Sequence, residues 1–247
     1  MKLFLTSSPC NDDVPEGVHI PCILNEANQF VSQMTRYWKP DSRGLIISSD
    51  PDNYDLNDEM RDTFYKAFSF HGLSLCRLIL CDSRNEADIA QLVADSDMII
   101  LGGGHVPTQN AFFKRMGLRE LVQGYQGIIM GISAGTMNCA DMVYAQPEMP
   151  GESIDLDYQR FIPGLGLTDV MILPHYQQVK DYTLDGMRLF EDITYGDSWG
   201  HQFYALVDGS YVLADEYGTE LYGEAYLIQD GQISQVCHKE EKISLKM

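Results

Sequence analysis

Short apolar runs rich in Ile, Val and Leu recur along this chain with amphipathic stretches of helical length between them. No other feature limits the fold as much. The runs are KLFLTS, RGLIISS, LSLCRLIL, DMIILGGG, GIIMGIS and DVMILPH, and between several of them lie LNDEMRDTFYKAFSFHG, NEADIAQLVADS and NAFFKRMGLRELVQGY. A strand apolar at successive positions is buried on both faces, and a helix-length connection brings the chain back to start a parallel neighbour. The pattern predicts an α/β fold with a mostly parallel sheet flanked by helices on both faces. From Gln202 onward the runs QFYALVDGSYVLA, EAYLIQDG and QISQVCHK shorten, alternate and are split by Asp-Gly turns, which predicts C-terminal antiparallel hairpins closing one edge of the sheet. No linker interrupts the 247 residues, so residues 1–247 are expected to form a single domain.

Charge excludes some partners. Seventeen basic against thirty-six acidic residues leave a net charge of −19, which argues against nucleic acid or an anionic membrane as partner. The same charge mildly favours a cationic substrate, and it obliges any site for an acidic one to supply its own Arg or Lys. The six cysteines are scattered without a C-x-x-C pair or a neighbouring His at zinc-ligand spacing, which reads as reduced thiols and no metal. The N-terminal apolar run is too short for a secretory signal and no stretch reaches membrane-spanning length, so a cytoplasmic location is expected.

In an open parallel sheet, ligands collect beyond the carboxyl ends of the strands. Three predicted strand ends carry unusual chemistry here: LGGGHVPTQN, GISAGTMN and LPHYQQ. In the second, Gly131 and Gly135 flank Ser133 at the G-x-S-x-G spacing of a nucleophile elbow, a sharp strand-to-helix turn too crowded for side chains two residues either side. The helix start also offers free N–H groups to a developing oxyanion. By itself the motif leaves a catalytic serine and a packing turn equally open.

A serine needs a base. Of the six histidines, His175 directly follows an apolar strand and Pro174, which places it at the same sheet edge as Ser133; His19, His71, His201 and His238 fall in loop, helix-end or hairpin contexts. Glycines 102 to 104 allow backbone N–H groups to turn inward as half of an oxyanion hole, with the Ala134 amide as the other half. A phosphate loop is the weaker reading, since neither G-x-G-x-x-G nor a Walker lysine is present.

In this order and at these separations, LGGGHVPTQ, GISAGTM and LPHYQ resemble the peptidase E and cyanophycinase family of serine peptidases. The resemblance implies a class I glutamine amidotransferase-like, three-layer flavodoxin-like fold and hydrolysis of small peptides, either Asp-containing dipeptides or β-aspartyl, cyanophycin-like ones, with no cofactor. It implies Ser133 as nucleophile, His175 as general base and then acid, and Gly104 and Ala134 as oxyanion donors. The family's third member is a glutamate, and the matching stretch YALVDGSY puts the shorter Asp208 there, with Glu216 and Asp197 as fall-backs. Asp208-Gly209 also reads as an ordinary hairpin turn. Arg188 falls where peptidase E-like chains carry a substrate-binding arginine on the helix after the histidine, although a surface ion pair with Asp185, Glu191 or Asp192 suits it as well. His105 and Gln109 are the other candidate pocket residues, with a helix-start polar contact as the alternative for Gln109.

A class I glutaminase is disfavoured, because the elbow holds Ser133 and the nearest cysteine, Cys139, lies six residues on. Two other functions compete: an α/β-hydrolase esterase ordered Ser133, Asp208, His238, and a non-catalytic binding protein that retains the fold. The hairpin edge offers a place for a second copy in a homodimer.

Overall fold

The structure is a computed structural model and describes residues 1–245. Its main sheet has eight strands, in the order Lys242–Leu245, Gly218–Tyr222, Tyr211–Asp215, Lys2–Thr6, Ile128–Ile132, Met98–Leu101, Ser42–Ile47 and Leu75–Cys81. From Lys2–Thr6 to Leu75–Cys81 every neighbour is parallel. The remaining pairings are antiparallel.

The parallel strands are apolar at successive positions because each face has its own helical layer. Leu3, Leu5, Leu45, Ile47, Ile99 and Leu101 point to one side, where Ile89–Ala94, Val106–Arg115 and Leu118–Val122 contribute Val93, Phe112, Leu118 and Val122. Phe4, Ile46, Ile100 and Met130 point to the other, against Phe30 and Met34 of Phe30–Tyr37 and Phe64 and Phe68 of Tyr54–Phe70. Each such fully buried side chain contributes roughly 1.5–3 kcal/mol relative to exposure. The stretch NAFFKRMGLRELVQGY is broken in two at Gly117, which takes a left-handed φ of 63°. Among the described residues no helix is long and apolar enough to cross a membrane.

One expectation needs correction and another needs extension. Met171–Leu173 does not join the main sheet; it pairs in parallel with Gln202–Leu206 in a separate four-stranded sheet that continues through Ala225–Gln229 and Gln232–Cys237. The C-terminal chain therefore does more than close an edge. One hairpin, Tyr211–Asp215 with Gly218–Tyr222, extends the main sheet, while the flanking strands build the second. Asp230-Gly231 is a hairpin turn as the sequence indicates, both residues at positive φ (51° and 76°). Asp208-Gly209 is not: the strands on either side of it lie in different sheets. A third core joins the second sheet to the segment after Ile132, through Ala134, Met137, Val143, Leu173, Phe190, Phe203 and Ile228.

Candidate active site

Register brings the carboxyl ends of four parallel strands to one level. Thr6 pairs with Ile132, Leu101 with Gly131, and Ile47 with Leu101, so Ser7, Ser133, Gly102–Gly104 and Ser48-Ser49 start side by side. Ser133 makes the sharp turn into the short helix Ala134–Met137 with φ 51° and ψ −112°, a conformation costing a non-glycine residue on the order of 1–3 kcal/mol. Neighbouring bonds hold it there. The Ser133 N–H is shared between the carbonyls of Thr6 and Ser7, each at 3.2 Å. Thr136 Oγ1 donates to Thr6 O at 2.8 Å, and Thr6 Oγ1 donates to Gly131 O at 2.7 Å. A Cβ on Gly131 would stand 2.6 Å from Thr136 Cα, and one on Gly135 would strike the Leu101 carbonyl, so the crowding that the G-x-S-x-G spacing implies is present at both glycines.

His175 reaches this edge by an unexpected route. It leaves the second sheet, takes a left-handed φ of 57° and opens the short helix Tyr176–Val179, and its backbone N–H donates to Ser7 Oγ at 2.7 Å. The imidazole Nδ1 lies 2.7 Å from Asp208 Oδ1. Ser7 Oγ donates to the same oxygen at 2.6 Å, while Gln177 and Gln178 donate their amides to Oδ2 at 2.6 and 2.8 Å. Burial opposes ionisation of Asp208, but the bonds from His175 and Ser7 outweigh it and hold the carboxyl below its ordinary range. Nδ1 is committed to Asp208, and among the described residues neither His175 Nε2 nor Ser133 Oγ has a hydrogen-bond partner.

Gly104 (φ 156°) sits so close to Ser49 that a Cβ would lie 2.8 Å from that of Ser49, whose hydroxyl donates to Gly103 O. His105 caps the helix Val106–Arg115, with Nδ1 2.8 Å from Thr108 Oγ1 and Nε2 2.8 Å from Glu152 Oε1. Gln109 differs from the expected pocket residue. It is 0 % exposed, donates to Gly102 O at 2.6 Å and accepts from Asn138 Nδ2 at 3.0 Å, so the amide is spent on the protein interior. Arg188 is not helical, because Asp185-Gly186 makes a hairpin turn with both residues at positive φ and Thr183 pairs with Arg188. Its guanidinium forks onto Asp192 at 2.6 and 3.1 Å, the surface pairing that the sequence offers as its alternative.

The fall-back acids are engaged elsewhere: Glu216 with Lys2, and Asp197 with Arg160 and Tyr144, each at 2.7 Å for the latter two. Asp208 has His175 as its imidazole partner, not His238. Among the described residues no three His, Cys, Asp or Glu side chains gather as a metal site. Sequence reasoning missed Ser7, Gln177 and Gln178. The glutamines stand within LPHYQQ, next to a residue that was singled out; Ser7 carries no local signal beyond its place at the end of the first strand.

The same architecture recurs in solved structures. A peptidase from an acI-B1 Actinobacterium superposes with a TM-score of 0.64 at 16 % identity, covering 99 % of this chain and 96 % of the other. A putative peptidase E protein from Listeria monocytogenes EGD-e superposes with a TM-score of 0.56 at 17 % identity, covering 95 % and 98 %. At such identities the likeness speaks for the fold. No curated protein matches the chain. The profile of Peptidase family S51 matches residues 52–221, well over half the chain and a span that includes the elbow, the glycine loop, His175 and Asp208; the protein therefore belongs to peptidase family S51 and is a serine-type peptidase.

Proposed function

We propose that Ser133, His175 and Asp208 act as nucleophile, general base and orienting acid in the hydrolysis of small peptides containing an α- or β-linked aspartyl residue. The observation that carries this reading is the 2.7 Å bond between His175 Nδ1 and Asp208, which commits one ring nitrogen and frees the other. As Ser133 Oγ attacks the peptide carbonyl, Nε2 takes its proton and then passes it to the leaving amine. Water repeats the sequence on the acyl-enzyme, with His175 as its base. The negative oxygen of each tetrahedral intermediate is held by the N–H groups of Gly104 and Ala134, neither of which donates to another group among the described residues. Losing one such donor typically costs about 10²- to 10³-fold in rate.

Substrate recognition falls to the residues around this edge. His105, next to Gly104 and held by Glu152, lines the approach to the oxyanion donors. Arg188 offers a two-pronged guanidinium that a substrate carboxylate would take over from Asp192. Gln109 supports the glycine loop from behind through Gly102 O. The chain is proposed to form one domain and to work without a cofactor.

The test is a panel of Asp-Leu, isoAsp-Leu, β-Asp-Arg and Ala-Leu given to the protein and to Ser133→Ala. Hydrolysis of an aspartyl member that vanishes in the variant is expected. Cleavage that survives in Ser133→Ala would remove the serine from the mechanism, and cleavage of Ala-Leu alone would remove the aspartyl preference.

A further inference from the structure

Ser7 touches all three residues of the proposed triad and is itself 0 % exposed. Its carbonyl accepts from the Ser133 N–H at 3.2 Å. Its hydroxyl accepts from the His175 N–H at 2.7 Å and donates to Asp208 Oδ1 at 2.6 Å. The three partners lie 126, 168 and 201 residues away in sequence, on the elbow, on the loop leaving the second sheet, and on the crossing between the two sheets. No other side chain among the described residues is bonded to both His175 and Asp208.

We infer that Ser7 is a positioning residue of the hydrolytic site: one hydroxyl locks the backbone of the base and the carboxylate of the acid to the end of the first strand, whose carbonyl groups also hold the N–H of the nucleophile on the neighbouring strand. This rests on the triad reading above.

The chemistry of the hydroxyl suits the task. Serine is the smallest side chain that accepts and donates at once, and here both functions are used. Alanine would leave the half-buried N–H of His175 without this acceptor and Asp208 Oδ1 with one donor fewer. Met171–Leu173 and Gln202–Leu206 belong to the second sheet, so the main-sheet anchor of His175 and Asp208 runs through Ser7 and the turn at Gly209, whose N–H donates to Ser8 O at 3.2 Å. Base, acid and nucleophile are thereby tied to one residue at the end of the first strand. Displacements of about 1 Å between such groups cost on the order of 10²-fold in rate.

A proton signature separates positioning from bulk stability. Among the described residues the side chains bonded to the Asp208 carboxylate are Ser7, Gln177, Gln178 and His175, of which only the His175 imidazole is ionisable. The Ser7 hydroxyl competes with the imidazole for Oδ1. Without it, the carboxylate holds a proton on the imidazole more firmly, and the acid limb of the activity profile moves to higher pH.

The experiment compares wild type, Ser133→Ala, Ser7→Ala and Ser7→Thr, the last restoring the hydroxyl. The readouts are the rate of labelling by a fluorophosphonate probe, kcat and KM on the cleaved peptide, and the pH profile of kcat/KM. Ser7→Ala is expected to lower the labelling rate and kcat by roughly ten- to a hundredfold with KM little changed, to move the acid limb upward, and to be partly rescued in Ser7→Thr. Should Ser7→Ala not fold, Ser7→Cys, isosteric but a weak donor, takes the same measurements with the same expectation. Labelling and kcat within twofold of wild type, or an unmoved acid limb, would overturn the role of Ser7. An unlabelled wild type would instead overturn the triad itself, so the two failures are distinguishable.

Discussion

Asp208 grips His175 Nδ1 at 2.7 Å with one carboxylate oxygen, while the other accepts the side-chain amides of Gln177 and Gln178. The shorter aspartate is thereby held through both oxygens, because the residues two and three beyond the histidine reach back to it. Asp208→Asn would present an N–H where Nδ1 needs an acceptor and favour the wrong imidazole tautomer. We expect kcat to fall by roughly 10³- to 10⁴-fold. Steady-state kinetics on the cleaved peptide checks this, and a loss below tenfold would take Asp208 out of the mechanism.

The elbow was legible because backbone crowding forces glycine at fixed spacing, so local sequence records a local constraint: Gly131 against Thr136 and Gly135 against Leu101. The parallel sheet was legible for a similar reason, since strands covered on both faces, such as Ile128–Ile132, are apolar throughout. His175 was placed at the right edge for an incomplete reason. Its strand belongs to another sheet, and a bond to Ser7 across 168 positions brings it back. Such a contact leaves no periodicity to read. For Arg188 the family resemblance implies a helix, whereas the Asp185-Gly186 turn within the same stretch governs the backbone. Gln109 illustrates a different limit: pattern alone does not tell a buried amide bonded to Gly102 from one facing a pocket.

His71 is buried at 4 % side-chain exposure, its Nε2 lacks a partner among the described residues, and burial holds its pKa below the ordinary value despite Glu26 nearby. Between that lowered value and about 6.5 the unfolded chain binds a proton that the folded one does not, so stability rises with pH there. The slope from this residue is at most about 1.4 kcal/mol per pH unit. Urea midpoints measured from pH 5 to 7 should climb less steeply in His71→Gln than in wild type. Parallel curves would show that His71 protonates without penalty.

Gly135 offers a test of the elbow's packing. An added Cβ meets the Leu101 carbonyl, a backbone group that cannot turn aside, whereas Gly196 has nothing within 4 Å of the same position and no positive φ. Gly135→Ala should destabilise by about 3 kcal/mol, the upper end of overpacking costs, and abolish probe labelling. Gly196→Ala should be neutral or stabilise by up to about 1 kcal/mol. Denaturant unfolding of the pair reads both, and equal stabilities would mean that the turn at Ser133 relaxes more freely than its contacts imply.

Glu152 fastens His105, proposed above to line the approach to the oxyanion donors. Oε1 meets His105 Nε2 at 2.8 Å, and Oε2 accepts the N–H groups of Glu148 and Met149, each at 2.9 Å. From the other side Asp185 holds the same segment through Gly151 N–H and the Ser153 hydroxyl. Removing Glu152 frees His105 and loosens 148–153 without touching Ser133, His175 or Asp208. Glu152→Ala should therefore raise KM several-fold, a change of about 1 kcal/mol, while kcat and probe labelling hold. His105→Ala should raise KM to a similar extent, and the double variant should be no worse than either single one, since both cut the same connection. Additive losses would mean that His105 and Glu152 act on the substrate separately; a fall in kcat would move their influence from binding to the oxyanion loop beside them.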